Sequence, residues 1–234
     1  MCGRFSLSLP AKSIAEFFGN LSFTDVEPRY NIAPTQPVLT LFRDPQDGRR
    51  YACPFHWGLI PSWAKDPKMG ARLTNARCET LAEKPSFRGA FRYRRCLVPA
   101  DGFYEWQTTP GGKQPFFIRL IDAPLLFFAG LWEHWSGPDG SEIRSVTIIT
   151  TEANGDMRPL HHRMPVILDR PDWDLWLNPE VRLGKEVQHL MVPLAEGRLK
   201  HFPVNTYVNK TGNEGPRCRE PLPPQPHSDQ MELF

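Results

Sequence analysis

Cysteine stands second in this chain, in MCGRFSL, directly behind the initiator methionine. A residue this small normally permits removal of the methionine, which leaves one residue carrying both a free thiol and a free α-amine. An α-amine titrates near ~8 and a thiol near ~8.5, so each is expected to have a nucleophilic fraction at neutral pH. An aldehyde offered to Cys2 would condense with the amine to an imine. The neighbouring thiol would then close on the same carbon to a five-membered thiazolidine, favoured by its high effective molarity. The plainer roles for Cys2 are a small residue at a frayed terminus or a lipidation site.

Three further stretches hold polar groups where packing alone does not need them. In LTNARCET, Asn75 and Arg77 alternate with apolar neighbours, so in an extended segment both project from one side. In VPADGFYEW, Glu105 lies between Tyr104 and Trp106, and a carboxylate among aromatics has a raised pKa that suits proton exchange near neutrality. In PLHHRMPVIL, His161 and His162 precede Arg163 and an apolar run. Each has a structural alternative: a turn cap for Asn75, an arginine partner for Glu105, a core position for either histidine.

The elements that must hold these residues read as strands. RFSLSL, VLTLF, YACPFHWGLI, RRCLVPA, QPFFIRLI, PLLFFAGLW and IRSVTIIT are apolar or β-branched runs bounded by Gly, Pro or Asp. Pro10 to Gly19 has a helical stripe in Ile14, Phe17 and Phe18, with Gly19 as its C-cap. PRYNIAPTQP reads as a proline-punctuated loop, and helical periodicity returns only in PDWDLWL and GKEVQHL. Strands outnumber helices without a βαβ alternation, which predicts an α+β domain on a mainly antiparallel or mixed sheet with short helices. The 25 prolines agree with many turns and few long helices.

Composition narrows the class. A chain of 234 residues with 40% hydrophobic and 23% charged residues fits one globular domain. No apolar run reaches the ~18 residues of a membrane span, and Pro10, Lys12 and Glu16 interrupt any signal core. A cytoplasmic protein is expected. Five scattered cysteines without a C-x-x-C pair indicate neither a disulfide framework nor a zinc site, and no organic cofactor is suggested. The net charge of +2 does not announce a nucleic-acid partner. Between Arg72 and Arg95, however, seven basic residues against two acidic ones are interleaved with Phe87, Phe91 and Tyr93, a mixture that suits phosphates and stacked bases as well as a solvated face.

Taken in order, MCGRF, RYNIAPTQ, HWGLIPSWA, NARCET, RRCLVPADGFYEW and HHRMPVIL resemble the SRAP family, the SOS response-associated peptidases, which shield abasic sites in DNA. The resemblance runs from Cys2 to about Asn209. It implies a single SRAP-like domain over 1–212 and a catalytic set of Cys2, Asn75, Glu105 and His161. In that set Cys2 forms a thiazolidine crosslink with the abasic aldehyde, Glu105 shuttles protons and Asn75 holds the sugar or amine. His161, two residues before the arginine, transfers protons in ring opening, strand cleavage or reversal. The resemblance further implies that Arg4 and Arg77 grip phosphates, with Thr150 as a further DNA contact, and that Trp63 is a stacking or wedge residue on single-stranded DNA. It implies lyase and Met1-removing peptidase activities, a monomer, and a cytoplasmic, nucleoid-associated location.

Residues 213–234 read as a flexible, proline-rich tail. Its end, QMELF, resembles the short peptides that bind the bacterial sliding clamp, with Gln230 fixing the register and Leu233 and Phe234 entering an apolar pocket. Two rivals share the opening residues: a glutamine amidotransferase-like hydrolase, which also begins M-C-G but carries a G-H-x-R-W motif not found here, and a non-catalytic single-strand-binding module in which Cys2 is incidental.

Overall fold

The computed structural model describes residues 2–17, 27–182 and 184–223. Along the chain run β1 (Phe5–Leu7), α1 (Ala11–Phe17), β2 (Arg29–Ile32), β3 (Pro37–Arg43), β4 (Arg50–Trp57), β5 (Asn75–Arg77) and α2 (Arg88–Tyr93). Then follow β6 (Arg95–Ala100), β7 (Gly102–Thr109), β8 (Gly112–Leu120), β9 (Leu126–Ser136), β10 (Glu142–Glu152), β11 (Arg163–Pro165), α3 (Trp173–Leu177) and β12 (Leu199–Pro203). The α+β expectation holds.

Five strands close on themselves. β10 pairs in parallel with β4, β4 pairs with β3, β3 with β6, β6 with β9, and β9 returns to β10, the last four all antiparallel. Their inner stretches are buried on both faces: Val38 to Phe42, Arg95 to Ala100 and Leu126 to Glu133 show no alternation. Such runs require cover on both sides of the sheet. Part of that cover is a second sheet in the order β12-β8-β7-β1-β2. The two meet through aromatic edges, with Phe5 of β1 at 5.1 Å from Trp57 and 5.7 Å from Phe128, and Phe103 of β7 at 5.9 Å from Phe128. Gly102 opens β7 because a Cβ there would collide with the Phe117 ring and the Ile118 carbonyl.

Several local expectations change. PRYNIAPTQP contains a strand, β2, whose backbone bonds to β1, and VPADGFYEW contributes β7, a strand buried on both faces at its start. GKEVQHL forms two 3-10 turns, Gly184–Glu186 and Gln188–Leu190, whose N–H groups reach carbonyls three residues back, Val187 to Gly184 and Leu190 to Val187. The first helix is described to Phe17, and the Gly19 cap lies outside the described residues. The packed domain also continues past the expected boundary at 212. Cys218 is fully buried, Arg219 pairs with the buried Asp101 at 3.1 Å, and the Leu222 N–H donates to Pro203. Residues 213–223 therefore form a strap over the small sheet. QMELF, with Gln230, Leu233 and Phe234, lies outside the described residues. Among the described residues no helix is long and apolar enough to cross a membrane.

Candidate active site

The amino terminus enters the seam between the two sheets. β1 runs antiparallel to β7 with Phe5 opposite Phe103, and the pairing extends one step outward, where the Tyr104 N–H donates to the Arg4 carbonyl at 2.9 Å. This register carries Glu105 alongside the residues that precede Arg4. On the other side, β5 pairs in parallel with β10, which brings Asn75 to the terminus: its Nδ2 donates to the Cys2 carbonyl at 2.9 Å. Asn75 and Arg77 share a face of β5, with the buried Ala76 between them pointing the other way. The buried Oδ1 of Asn75 has no hydrogen-bond partner among the described residues.

Cys2 itself is fully buried, and its thiol lies 3.9 Å from the Arg4 carbonyl. Burial pushes the thiol pKa well up, and the nearby Glu105 charge pushes it further in the same direction. Burial and the Glu105 charge thus both work against the thiolate fraction expected from the sequence. Glu105 is 5% exposed and its carboxyl is also pushed up by burial, against the opposing pull of the positive amino terminus. This is the direction its aromatic neighbours suggest. A carboxyl in such a position gives up and takes back a proton closer to neutrality than an exposed one.

His161 stands on the loop that leads into β11. The segment from Asn154 forms a compact loop whose neck is tied by Ala153 N–H to the His162 carbonyl at 3.1 Å, and Asn154 caps it through the Met157 N–H at 3.1 Å. The Arg163 N–H donates to Nδ1 of His161 at 2.9 Å, and the Arg163 carbonyl lies 3.2 Å from the same nitrogen; the shorter contact, from an obligatory donor, favours the neutral tautomer with its proton on Nε2. Burial lowers the His161 pKa, followed by the amino terminus and His162. His162 stacks on His161 at 4.4 Å and is the more exposed of the two. It lines an open pocket of about 400 Å³ together with Arg77, Glu152, Arg158 and Arg163.

The other expected contacts divide. Arg77 is exposed at the pocket. Trp63 is 56% exposed on a loop held from beneath: Gly58, at φ 137°, abuts Gly70, where a Cβ would meet the Gly70 carbonyl at 2.5 Å. Ile60 N–H reaches the Ser145 hydroxyl at 2.8 Å, and Trp135 Nε1 donates to Ala64 at 2.7 Å. Arg4 is half-buried and directs Nη1 to Asn31 at 2.7 Å and to the Val208 carbonyl at 3.0 Å, so this arm holds the C-terminal loop. Thr150 has no exposed surface; β10 is flanked there by both β5 and β11, and its hydroxyl faces the Ala76 carbonyl at 3.4 Å. The expected phosphate contact at Thr150 therefore has no surface to act through in this structure. Residues that the motifs contained but the sequence did not single out are Asn31, whose Nδ2 donates to Val208, Lys210 and Asn213, and the Glu79–Arg163 pair. Among the described residues no three His, Cys, Asp or Glu side chains cluster to hold a metal.

Fold and site together define a closed β-ring protein that carries its second residue, a cysteine, buried against Asn75 and within electrostatic influence of the buried Glu105. Residues 1–211 match the family of SOS response associated peptidases (SRAP), and the chain belongs to that family. It is 42% identical over 224 residues to the abasic site processing protein YoqW of Bacillus subtilis, covering 94% of this chain and 99% of that one. It is 37% identical over 225 residues to the abasic site processing protein HMCES of Gallus gallus, covering 83% of this chain and 66% of that one. A crystal structure of a protein from Bacteroides thetaiotaomicron superposes with a TM-score of 0.85 at 26% identity, covering 94% of this chain and all of that one.

Proposed function

We propose that this protein processes abasic sites in DNA by forming a covalent thiazolidine at Cys2. The observation that carries the reading is the β1–β7 register, which sets the buried Glu105 beside the amino-terminal residue, with Asn75 on the Cys2 carbonyl. The names of the relatives, abasic site processing proteins, supply the substrate.

While Met1 is attached, the Cys2 nitrogen is an amide and cannot form an imine. Its removal, by an aminopeptidase or by self-cleavage, is thus a condition for activity. The freed amine attacks the aldehyde carbon of the ring-opened deoxyribose. Protonated Glu105 gives its proton to the departing oxygen of the carbinolamine, which leaves as water, and the protonated imine forms. The resulting carboxylate takes the thiol proton as sulfur adds to the iminium carbon, which closes the thiazolidine with a neutral ring N–H and restores the protonated acid. His161, through Nε2, handles the proton transfers that open the sugar, eliminate the 3′ phosphate in a lyase reaction, or reverse the crosslink. Arg77 meets a phosphate flanking the lesion.

Single-stranded DNA fits best, because a buried terminus reaches a sugar carbon more readily where no opposite strand fills the groove, and exposed bases can stack on Trp63. The crosslink would shield the lesion. Intact-mass spectrometry after incubation with a single-stranded oligonucleotide bearing one abasic site tests the proposal. An adduct of Met1-free protein, mapped to Cys2 and stable without borohydride, is expected. DNA binding by Met1-free protein with no adduct would overturn it.

A further inference from the structure

Outside the groups given roles above, the best-defined polar constellation near the site is an ion pair. Arg163 is bidentate to Glu79, Nη1 to Oε1 at 2.6 Å and Nη2 to Oε2 at 2.9 Å, and Nη2 also donates to the Thr150 carbonyl at 2.8 Å. The Arg163 side chain is only 9% exposed, whereas that of Glu79 is 46% exposed. Paired forks of this kind fix orientation as well as charge. The pair joins two segments of the site. Glu79 lies in the 3-10 turn Cys78–Thr80 that directly follows the strand bearing Asn75 and Arg77, and Arg163 opens β11 immediately after the two histidines. The same Arg163 supplies, from its backbone, the N–H that occupies His161 Nδ1 at 2.9 Å.

We propose that Glu79 and Arg163 are positioning residues that fix the ring orientation and tautomer of His161 relative to the Asn75 strand. The Thr150 carbonyl and Glu79 anchor the Arg163 side chain at the sheet edge. Its backbone N–H is thereby held against Nδ1 at 2.9 Å, with the Arg163 carbonyl 3.2 Å from the same nitrogen, and proton exchange in the proposed reaction falls to Nε2. A broken pair frees the β11 entry, so that the ring samples other rotamers and both tautomers. The pair meets the Cys78 thiol but, among the described residues, makes no contact with Cys2, and its loss should spare the Cys2 chemistry while impairing the His161 steps. This inference rests on the function proposed above for the enzymatic readout, but its spectroscopic readout does not.

The groups acting on His161 are the amino terminus, His162 and Arg163, with burial the largest influence. Arg77, Arg158 and Glu152 line the adjoining pocket. In Glu79→Ala the Arg163 charge loses its counter-ion, which disfavours protonated His161 and moves its titration to lower pH.

The test compares the full-length parent, Glu79→Ala and Glu79→Asp, with folding checked by thermal melting. Side-chain nitrogen NMR of His161 is expected to show one Nε2–H tautomer in the parent, mixed tautomers and a lower titration midpoint in Glu79→Ala, and recovery in Glu79→Asp. Strand cleavage should fall on the order of tenfold to a hundredfold in Glu79→Ala, with oligonucleotide Kd and Cys2 adduct formation within twofold of the parent. Unchanged His161 signals in a folded Glu79→Ala protein would overturn the proposal, as would a loss confined to Kd. Should Glu79→Ala fail to fold, Arg163→Lys, which keeps the charge but not the fork, replaces it with the same expectations. If the parent forms no adduct, the proposed function fails, and the NMR comparison still decides the positioning claim.

Discussion

Replacing Glu105 by Gln should slow the protein and stabilise it at the same time. The carboxyl is 5% exposed and its pKa is raised, burial being the largest cause. A raised folded-state pKa means that the fold prefers the neutral acid. The associated stability is fully present below the ordinary carboxyl value of ~4.3 and is lost as pH climbs through the raised one, at about 1.4 kcal/mol for each pH unit that separates the two. Glutamine imitates the neutral acid at every pH. Glu105→Gln and parent should therefore be equally stable in acid, with the variant pulling ahead toward pH 7. Catalysis should move the other way, because an amide cannot pass a proton to the departing oxygen or take one from a thiol that burial keeps protonated. Loss of a positioned general acid and base is worth roughly 10²- to 10⁴-fold, or about 3–5 kcal/mol of barrier. Single-turnover adduct formation on denaturing gels, beside urea melts at pH 4 and pH 7, measures both quantities. Equal adduct rates would remove Glu105 from the chemistry. A variant less stable than the parent at pH 7 would show that its carboxylate is stabilised in place, contrary to the burial argument.

Arg77→Ala should weaken DNA binding about uniformly across sequences and reduce the salt slope of log K by about one, read by anisotropy titrations; an unchanged slope would take Arg77 off the phosphates. Arg95→Ala should destabilise the fold by roughly 3–5 kcal/mol in urea melts, since this buried guanidinium, still charged with its pKa held down to about 10, donates to Trp176, Phe91, Arg92, Asn178 and Val181 carbonyls. A cost below about 1 kcal/mol would mean that water replaces it. Ending the chain after residue 212 should lower its melting temperature, whereas ending it after 223 should not; equal melts would deny the strap its packing role. Deleting Gln230 to Phe234 should abolish binding to a bacterial sliding clamp if that tail peptide is the contact, as measured by surface plasmon resonance.

The readings that succeeded from sequence were local, and those that failed depended on distant partners. β3, β6, β9 and β10 announce themselves as β-branched and aromatic runs, and Asn75 with Arg77 falls on one face of β5 as the alternation requires. β7 escaped because Gly102 to Glu105 is buried on both faces and so shows no period of two. Ring closure was equally hidden: it needs β10 to pair in parallel with a strand that ends at Trp57 and antiparallel with its own hairpin partner. Thr150 looked available because nothing in IRSVTIIT says that strands flank it on both sides. The bonds of Arg4 Nη1 were hidden because its acceptors lie 27 and 204 residues away. Glu79 and Arg163 were both inside recognised motifs, yet a separation of 84 residues concealed that they form one fork.

Burial of Cys2 has a chemical consequence for the proposed reaction. An exposed low-pKa cysteine reacts with oxidants and electrophiles through its thiolate, and lowering the pKa is how many enzymes activate sulfur. Here the surroundings do the opposite, since burial and the Glu105 charge both disfavour the thiolate. A protonated thiol is the weaker nucleophile, so in the proposed reaction the first attack falls to the amine, which condenses with the aldehyde. Only after imine formation does an electrophilic carbon stand next to the thiol, with the newly formed Glu105 carboxylate ready to accept its proton. The same burial that delays sulfur thus makes the order of bond formation, nitrogen before sulfur, a source of selectivity for an aldehyde. A lower thiol pKa would quicken alkylation by generic electrophiles without quickening the step that commits the protein to the lesion.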